Sequence, residues 1–289
     1  MVCSSVLDGH GLVILTSPRI AAALEGAEAQ HLRQQVRTWR ALGADQARVV
    51  DIDGGVAAFT EPLFGRKLNH VTGLGMRGAV DPAALQVLES DYAARGLGVE
   101  IDLCPLAAAD MLPLLAGRGY AVNAFSNTYA CPLGDLPPPG PAEPGIAVLE
   151  GRAAAELFVD ASVAGFSLQA DRRPRELLVA LARIALARED TALFVACVDG
   201  RVAGSAGLSV TETLLGPVGE LYIASTLPEF RGRGVQTARL RARLLAAKAA
   251  GCALAVVMAR PQNVSARNTE RAGFRLAFTK ATFARPLAG

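Results

Sequence analysis

Residues able to do chemistry gather in one stretch of the last quarter of the chain. It reads Leu221-Tyr222-Ile223-Ala224-Ser225-Thr226-Leu227-Pro228-Glu229-Phe230-Arg231-Gly232-Arg233-Gly234-Val235-Gln236. An apolar strand runs into a Gly/Arg turn, and the turn runs into an alanine-rich helix. Such a turn presents free backbone N–H groups, because the first four amides of a helix lack partners. The helix dipole adds positive charge at the same end. The expected ligand is therefore a pyrophosphate-bearing cofactor. Just upstream, Glu220, Tyr222 and Ala224 alternate onto one face of the strand.

The elements that must hold this stretch can be read from periodicity. A strand over Ile146–Glu150 precedes helices near Ala153–Ala164 and Arg175–Ala187. Strands follow at Ala192–Val198, Val202–Thr211 and Val218–Thr226, with a hairpin turn at Asp199-Gly200. The helix Val235–Ala250 carries Leu240, Leu244, Leu245 and Ala247 at helical spacing. Strand Ala253–Ala259, helix Ser265–Ala272 and strand Phe274–Arg285 complete the half. Ser265 is placed to start its helix and Gly273 to end it. Ser265 and Asn268 lie three apart, hence on one face. The order β-α-α-β-β-β-α-β-α-β predicts an α/β fold, a mixed sheet with helices packed on it.

The first half repeats this order more faintly. Its strands are Ala47–Asp51, Val56–Thr60 and Asn69–Gly75, and its helices Ala27–Leu42, Pro82–Ala94 and Ala107–Ala116. Gly119-Tyr120 and Gly273-Phe274 open matching closing segments that run to Pro132-Leu133 and Pro286-Leu287, a shift of 154 residues throughout. Val99–Pro105 parallels Ala255–Pro261. Agreement of pattern, order and spacing together points to a duplication. Between the halves lie six prolines in Pro132–Pro144, which favour an extended connector. The expected division is a domain over 1–133, a linker over 134–145 and a domain over 146–289. The first half's turn at Gly75–Pro82 lacks the paired Arg-Gly steps. Asp81 and Pro82 there read as an ordinary N-cap and N1 pair. No cofactor is expected in that half.

Composition narrows the rest. A net charge of +2 over 289 residues gives no footprint for nucleic acid. Five cysteines without a C-x-x-C pair read as buried free thiols of a cytoplasmic protein. The three histidines show no metal-ligand spacing, so no metal is expected. No apolar run approaches the roughly 20 residues that span a bilayer, and the N-terminus has no basic residue before its apolar run. The basic run His31–Arg40 reads as a solvated helix face with Trp39 in the core.

Arg231-Gly232-Arg233-Gly234-Val235-Gln236 resembles the Q/R-x-x-G-x-G/A signature of the GNAT superfamily of N-acetyltransferases. Gln236 departs from it, since Gly or Ala is usual there. Pro261–Phe274 resembles the late helix of that family, which ends in a Gly-aromatic step. The resemblance covers 146–287 well and 20–133 as a degenerate copy, implying two tandem GNAT-like domains. It implies acetyl-CoA, or another acyl-CoA, bound between two splayed parallel strands, here Val218–Thr226 and Ala253–Ala259. Backbone groups of Ala224, Ser225 and Thr226 would pair with the pantetheine arm like an added strand. Amides of Arg231, Gly232, Arg233, Gly234, Val235 and Gln236 would hold the pyrophosphate, with Ser265 and Asn268 at the pantetheine and phosphate end.

Acetyl transfer then needs an amine freed of its proton. Glu220 lies eleven residues before Arg231, a spacing at which several GNAT enzymes place their general base. The family's usual acid is a tyrosine four residues before the Gly-aromatic step. Thr269 stands at that position, so Tyr222 is the candidate substitute, with protonation of the thiolate by water as the alternative. The expected activity is acetyl transfer from acetyl-CoA to a primary amine of a small molecule, by a monomer or homodimer. A non-catalytic acyl-CoA sensor is the alternative. RNA binding through the Arg-Gly turn lacks the aromatic and basic clustering it would need.

Overall fold

The computed structural model describes residues 16–134, 136, 143–151, 155–167, 173–261 and 264–287. Most of the expected proline-rich linker lies outside the described residues. The elements run α1 (Pro18–Ala41), β1 (Arg48–Ile52), β2 (Gly55–Phe59), β3 (Val71–Thr72), α2 (Pro82–Ala93), β4 (Val99–Leu103), α3 (Met111–Gly117), β5 (Ala121–Pro132), β6 (Ile146–Glu150), α4 (Ala155–Ser167), α5 (Arg175–Ala187), β7 (Thr191–Val198), β8 (Arg201–Thr213), β9 (Gly216–Thr226), α6 (Val235–Ala249), β10 (Leu254–Ala259), α7 (Val264–Arg271) and β11 (Arg275–Arg285).

These elements form two compact units. The N-unit is built on Leu15–Thr128, Ala259–Pro261 and Leu276–Gly289, and the C-unit on Tyr129–Met258 and Gln262–Arg275. Part of the last strand of each sequence half therefore lies in the other unit, β11 from Leu276 in the N-unit and β5 from Tyr129 in the C-unit. In the N-unit the order is β1-β2-β3-β4-β11, with β11 antiparallel to β4 from Ala281↔Leu103 to Arg285↔Val99. In the C-unit the order is β5-β10-β9-β8-β7-β6, with β5 joining from Tyr129 on. The contiguous ranges expected from sequence differ from the compact units at these strands. The physical reason is the repeat itself: β5 and β11 carry matching sequences 154 residues apart, so each can complete either sheet.

Both sheets contain a two-residue hairpin, β1–β2 in the N-unit and β7–β8 in the C-unit. Asp53-Gly54 and Asp199-Gly200 all have positive φ, which the twist of a tight hairpin requires. Register partners Ile52↔Gly55 and Val198↔Arg201 flank them.

Three elements of the N-unit depart from the periodicity reading. α1 starts nine residues before Ala27, because Ser17 accepts from the Ile20 amide at 3.3 Å and Pro18 sits at N1. β3 is two residues long rather than Asn69–Gly75. Gly73 and Gly75 both turn to positive φ, and the Asn69 side chain accepts from the Thr60 amide instead. The helix expected over Ala107–Ala116 is α3, shifted to Met111–Gly117. Within α1, Trp39 is half-buried, with Nε1 on the Glu61 carboxylate and its ring edge-on to Phe64. His31 is buried rather than solvated.

The N-unit core packs Phe59, Tyr92, Ile101 and Leu115. The C-unit sheet has two covered faces. Phe158 of α4 and Ala185 of α5 pack on Leu193, Val195 and Tyr222. Val235 of α6 and Phe230 pack on Ala196, Val198 and Ala203 of the opposite face.

Candidate active site of the C-unit

The Gly/Arg turn lies where the sequence put it, between β9 and α6. Gly232 and Gly234 have φ of 76° and 83°, a region that side-chain-bearing residues rarely adopt. Gly234 is the N-cap of α6 and offers no side chain to its first-turn amides, and that turn holds no acidic residue. Amides left this way suit an anion. Arg233 pairs with Asp199 at 3.0 Å, and its guanidinium stacks 5.6 Å from the Phe230 ring centroid. Arg231 is exposed beside the turn.

Strands β9 and β10 pair in parallel only from Val218↔Leu254 to Glu220↔Val256. Beyond that point the C-terminal ends of both strands run on without pairing to each other. Ile223 forces the parting on the β9 side. Its φ of 44° is an outlier for a β-branched residue. The β8–β9 register slips at the same place, from Ser205↔Ser225 to Gly207↔Tyr222. Three residue steps on β9 thus oppose two on β8, which is a β-bulge. Such bulges redirect a strand next to a site.

Ala224, at the bulge, is exposed, whereas Ser225 is buried. The Ser225 hydroxyl donates to the Ala161 carbonyl of α4 at 3.3 Å. Its room comes from Gly165, where any Cβ would collide with the Ser225 side chain. So the backbone of Ala224–Thr226, and not the Ser225 side chain, borders the opening.

On the α4/α5 face, Thr191, Ser209 and Glu220 sit directly opposite one another across β7, β8 and β9. Glu220 is 2 % exposed, so its carboxylate lies in the protein interior rather than at a solvated strand end. One pleat along, the Tyr222 hydroxyl and Thr191 Oγ1 are 2.9 Å apart. Burial pushes the Tyr222 phenol up to about 12, against the pull of Arg188 and the Thr191 hydrogen bond. Arg188, at the end of α5, lies over the Tyr222 ring at 5.6 Å. It holds Asp190 through two bonds of 2.8 Å. The charges of Arg188, Glu220 and Tyr222 act on one another. Sequence reasoning missed Arg188, Asp190 and Thr191. Their only signal is an opposite-charge pair at a helix end just before a strand.

The late helix also meets the turn. Gln236 Nε2 donates to Ser265 Oγ at 3.2 Å, and Asn268 Nδ2 donates to Gln236 Oε1 at 2.7 Å. The structure thus gathers Gln236, Ser265 and Asn268 into one polar group. Thr269, at the position of the family's usual tyrosine, is buried and offers no acid.

The N-unit differs at its corresponding turn. Asp81 accepts from the Ala83 amide at 2.9 Å, so a carboxylate of the chain itself already caps α2. Between α1 and the sheet lies a buried ionic cluster. Lys280 pairs with Glu25 and Glu28, and Arg66 with Asp102. His70 and Asp102 come near Glu28, with one ligand atom from each within 4.8 Å of the others. Lys280 and Arg66 already neutralise these carboxylates, so the donor set does not favour a metal.

Among the described residues no helix is long and apolar enough to cross a membrane. Residues 155–274 match the family model described as Acetyltransferase (GNAT) family. No curated protein matches the chain. A GCN5-related N-acetyltransferase from Kribbella flavida superposes with a TM-score of 0.63 at 19 % identity, covering 92 % of this chain and 96 % of that one. One from Sphaerobacter thermophilus gives 0.54 at 16 %, covering 84 % and 76 %. A tandem GNAT protein from the clavulanic acid biosynthesis pathway gives 0.52 at 14 %, covering 72 % and 70 %. Residues 155–274 are therefore similar to the GNAT acetyltransferase family, and the chain shares its mixed α/β fold with these solved structures.

Proposed function

We propose that the protein is an N-acetyltransferase that moves an acetyl group from acetyl-CoA, or a related acyl-CoA, to a primary amine of a small molecule. The observation that carries this reading is the uncapped α6 N-terminus at Gly232–Gly234, set beside the point where β9 leaves β10. The amides of Arg231 to Gln236 take the pyrophosphate, and Arg231 and Arg233 add charge. Ser265 and Asn268 flank them, while the backbone of Ala224, Ser225 and Thr226 at the opening receives the pantetheine arm as an added strand.

Acetyl-CoA supplies a thioester, an acyl group already joined to a good leaving group. The chain's own residues manage the protons. Glu220 accepts the proton that the ammonium must lose before its nitrogen can attack, directly or through one water. The amine nitrogen then bonds to the acyl carbon as the C–S bond breaks. Tyr222 stays protonated at neutral pH and donates to the departing sulfur. Thr191 orients that hydroxyl, and the positive charge of Arg188 acts on Glu220.

The first half, over 1–133 and joined by 134–145 to 146–289, is read as a copy that has lost the donor site. The protein acts in the cytoplasm as a monomer or homodimer, without metal, nucleic acid or membrane. Buried Thr269 favours one other reading, an acyl-CoA sensor without turnover.

Calorimetry with acetyl-CoA tests the site. Wild type should bind, and Gly234→Glu, which sets a carboxylate on the anion turn, should not. Gly234→Ala reports the backbone strain alone. Equal affinity in wild type and Gly234→Glu would remove the site assignment.

A further inference from the structure

The buried row of α6 is Val235, Arg239, Arg243 and Ala247, each four residues from the next. On a helix packed against a sheet this row should be apolar. Two arginines occupy its middle instead, 1 % and 2 % exposed. Burial pushes Arg239 down to about 10 and Arg243 to about 9. Among the described residues neither has a carboxylate partner. A methionine or leucine would fill such a place at less cost, because a buried guanidinium must give up its hydration.

Arg239 spends its donors on a single feature. One terminal nitrogen, Nη1, donates to both the Ser205 and the Ser225 carbonyls. The other, Nη2, donates to Thr226 Oγ1 at 2.6 Å, and Nε reaches the Val235 carbonyl at 3.4 Å. Ser205 and Ser225 are the last register pair before the bulge. Gly204 leaves the space, since a Cβ there would lie 3.2 Å from Nη1. A planar fork of fixed donors suits this task, and a lysine ammonium would not span the same acceptors. Arg243 makes weaker contacts, to the Gly207 carbonyl at 3.4 Å and the Arg239 carbonyl at 3.2 Å.

We infer that Arg239 is a positioning residue: it clamps β8 to β9 at the bulge and so sets the course of Ala224–Thr226 away from β10. This rests on the reading of that opening as the acyl-CoA site. Arg239 is buried, and the bonds of its terminal guanidinium nitrogens go to β8 and β9. It acts through the backbone that would pair with the pantetheine arm, and it offsets the unfavourable backbone of Ile223. The consequence is an unusual split, in which the residue lowers the stability of the fold while raising affinity for the donor.

The experiment compares full-length wild type, Arg239→Met, Arg239→Lys and Arg243→Met by thermal unfolding and by acetyl-CoA calorimetry. Arg239→Met should melt no lower than wild type, yet bind acetyl-CoA at least tenfold more weakly. Arg239→Lys should fail to restore affinity. Arg243→Met should also melt no lower, but bind within threefold of wild type. An Arg239→Met protein that binds as tightly as wild type overturns the inference. So does one that fails to fold, because Arg239 would then be a core element rather than a clamp. Wild type that binds no acyl-CoA fails the underlying reading of the site, a result separate from any difference among the variants.

Discussion

Gln236 on the first turn of α6 is joined at both ends of its side-chain amide to α7: Nε2 to Ser265 Oγ and Oε1 to Asn268 Nδ2. The bridge uses the Ser265 oxygen as acceptor and one of the two Asn268 amide protons. The bridge thereby fixes the orientation of the Ser265 hydroxyl and of the Asn268 amide. Gln236 therefore holds Ser265 and Asn268 against the first turn of α6, at a position where the signature usually has Gly or Ala. Gln236→Ala should weaken acetyl-CoA binding about fivefold, the equivalent of one ordinary hydrogen bond or about 1 kcal/mol. Calorimetry reads this directly, and tighter binding in the variant would show that Gln236 obstructs the site.

Glu220→Gln keeps the shape of the side chain and removes the base. Acetyl-CoA affinity should stay within twofold of wild type, while kcat with an accepted amine falls about 100-fold or more. A fall in binding with kcat intact would place Glu220 in the donor site instead.

Tyr222→Phe removes the hydroxyl that meets Thr191. It should lower kcat about tenfold with little change in acetyl-CoA KM. The phenol is pushed up to about 12, so wild-type activity should show no loss assignable to Tyr222 between pH 7 and 10. Steady-state kinetics across that range decides it.

Lys280 is 1 % exposed and is held ionised by Glu25, Glu28 and Asp102. Lys280→Met strands those carboxylates in the N-unit interior. Breaking a buried pair in this way costs about 3–5 kcal/mol. Urea unfolding should show a midpoint well below wild type. An unchanged midpoint would mean that solvent reaches the cluster.

His70 is depressed to about 4, mainly by burial and against the pull of Asp102. An unfolded histidine titrates near 6.5. The unfolded chain therefore binds the proton first on acidification. The stability from neutral His70 is complete above about pH 6.5 and is lost as pH falls through 4. It should amount to about 3 kcal/mol, and His70→Gln should flatten the pH dependence of the melting temperature in that window. A wild-type slope that survives the substitution would assign it to other groups.

Much of this was legible in the chain. The Gly/Arg turn, the Asp199-Gly200 hairpin and the Asp81 cap depend on local residue types, and each stands where its residues put it. The site's supporting shell was harder to read. Arg239 and Arg243 look like solvated helix charges, because their burial depends on Gly204 and on the bulge of a strand brought in from elsewhere. Arg188 meets Tyr222 only after α5 and β9 have packed on one sheet. The short β3 escaped periodicity because Gly73 and Gly75 break an otherwise strand-like run. The strand exchange is invisible for a different reason: sequences alike enough to reveal the repeat cannot say which sheet each strand joins.

That exchange bears on how the molecule is made. The β4 edge of the N-unit is covered by residues 276 onward, so the first half cannot finish its sheet when its own sequence is complete. It must wait, with an open strand edge, until β11 has been synthesised. Contacts closed over so many residues form slowly, and an unpaired edge invites association meanwhile. Neither half is then a self-sufficient piece. A nascent chain halted before β11 should be a client of chaperones, and β11 acts as the latch that ends its vulnerability.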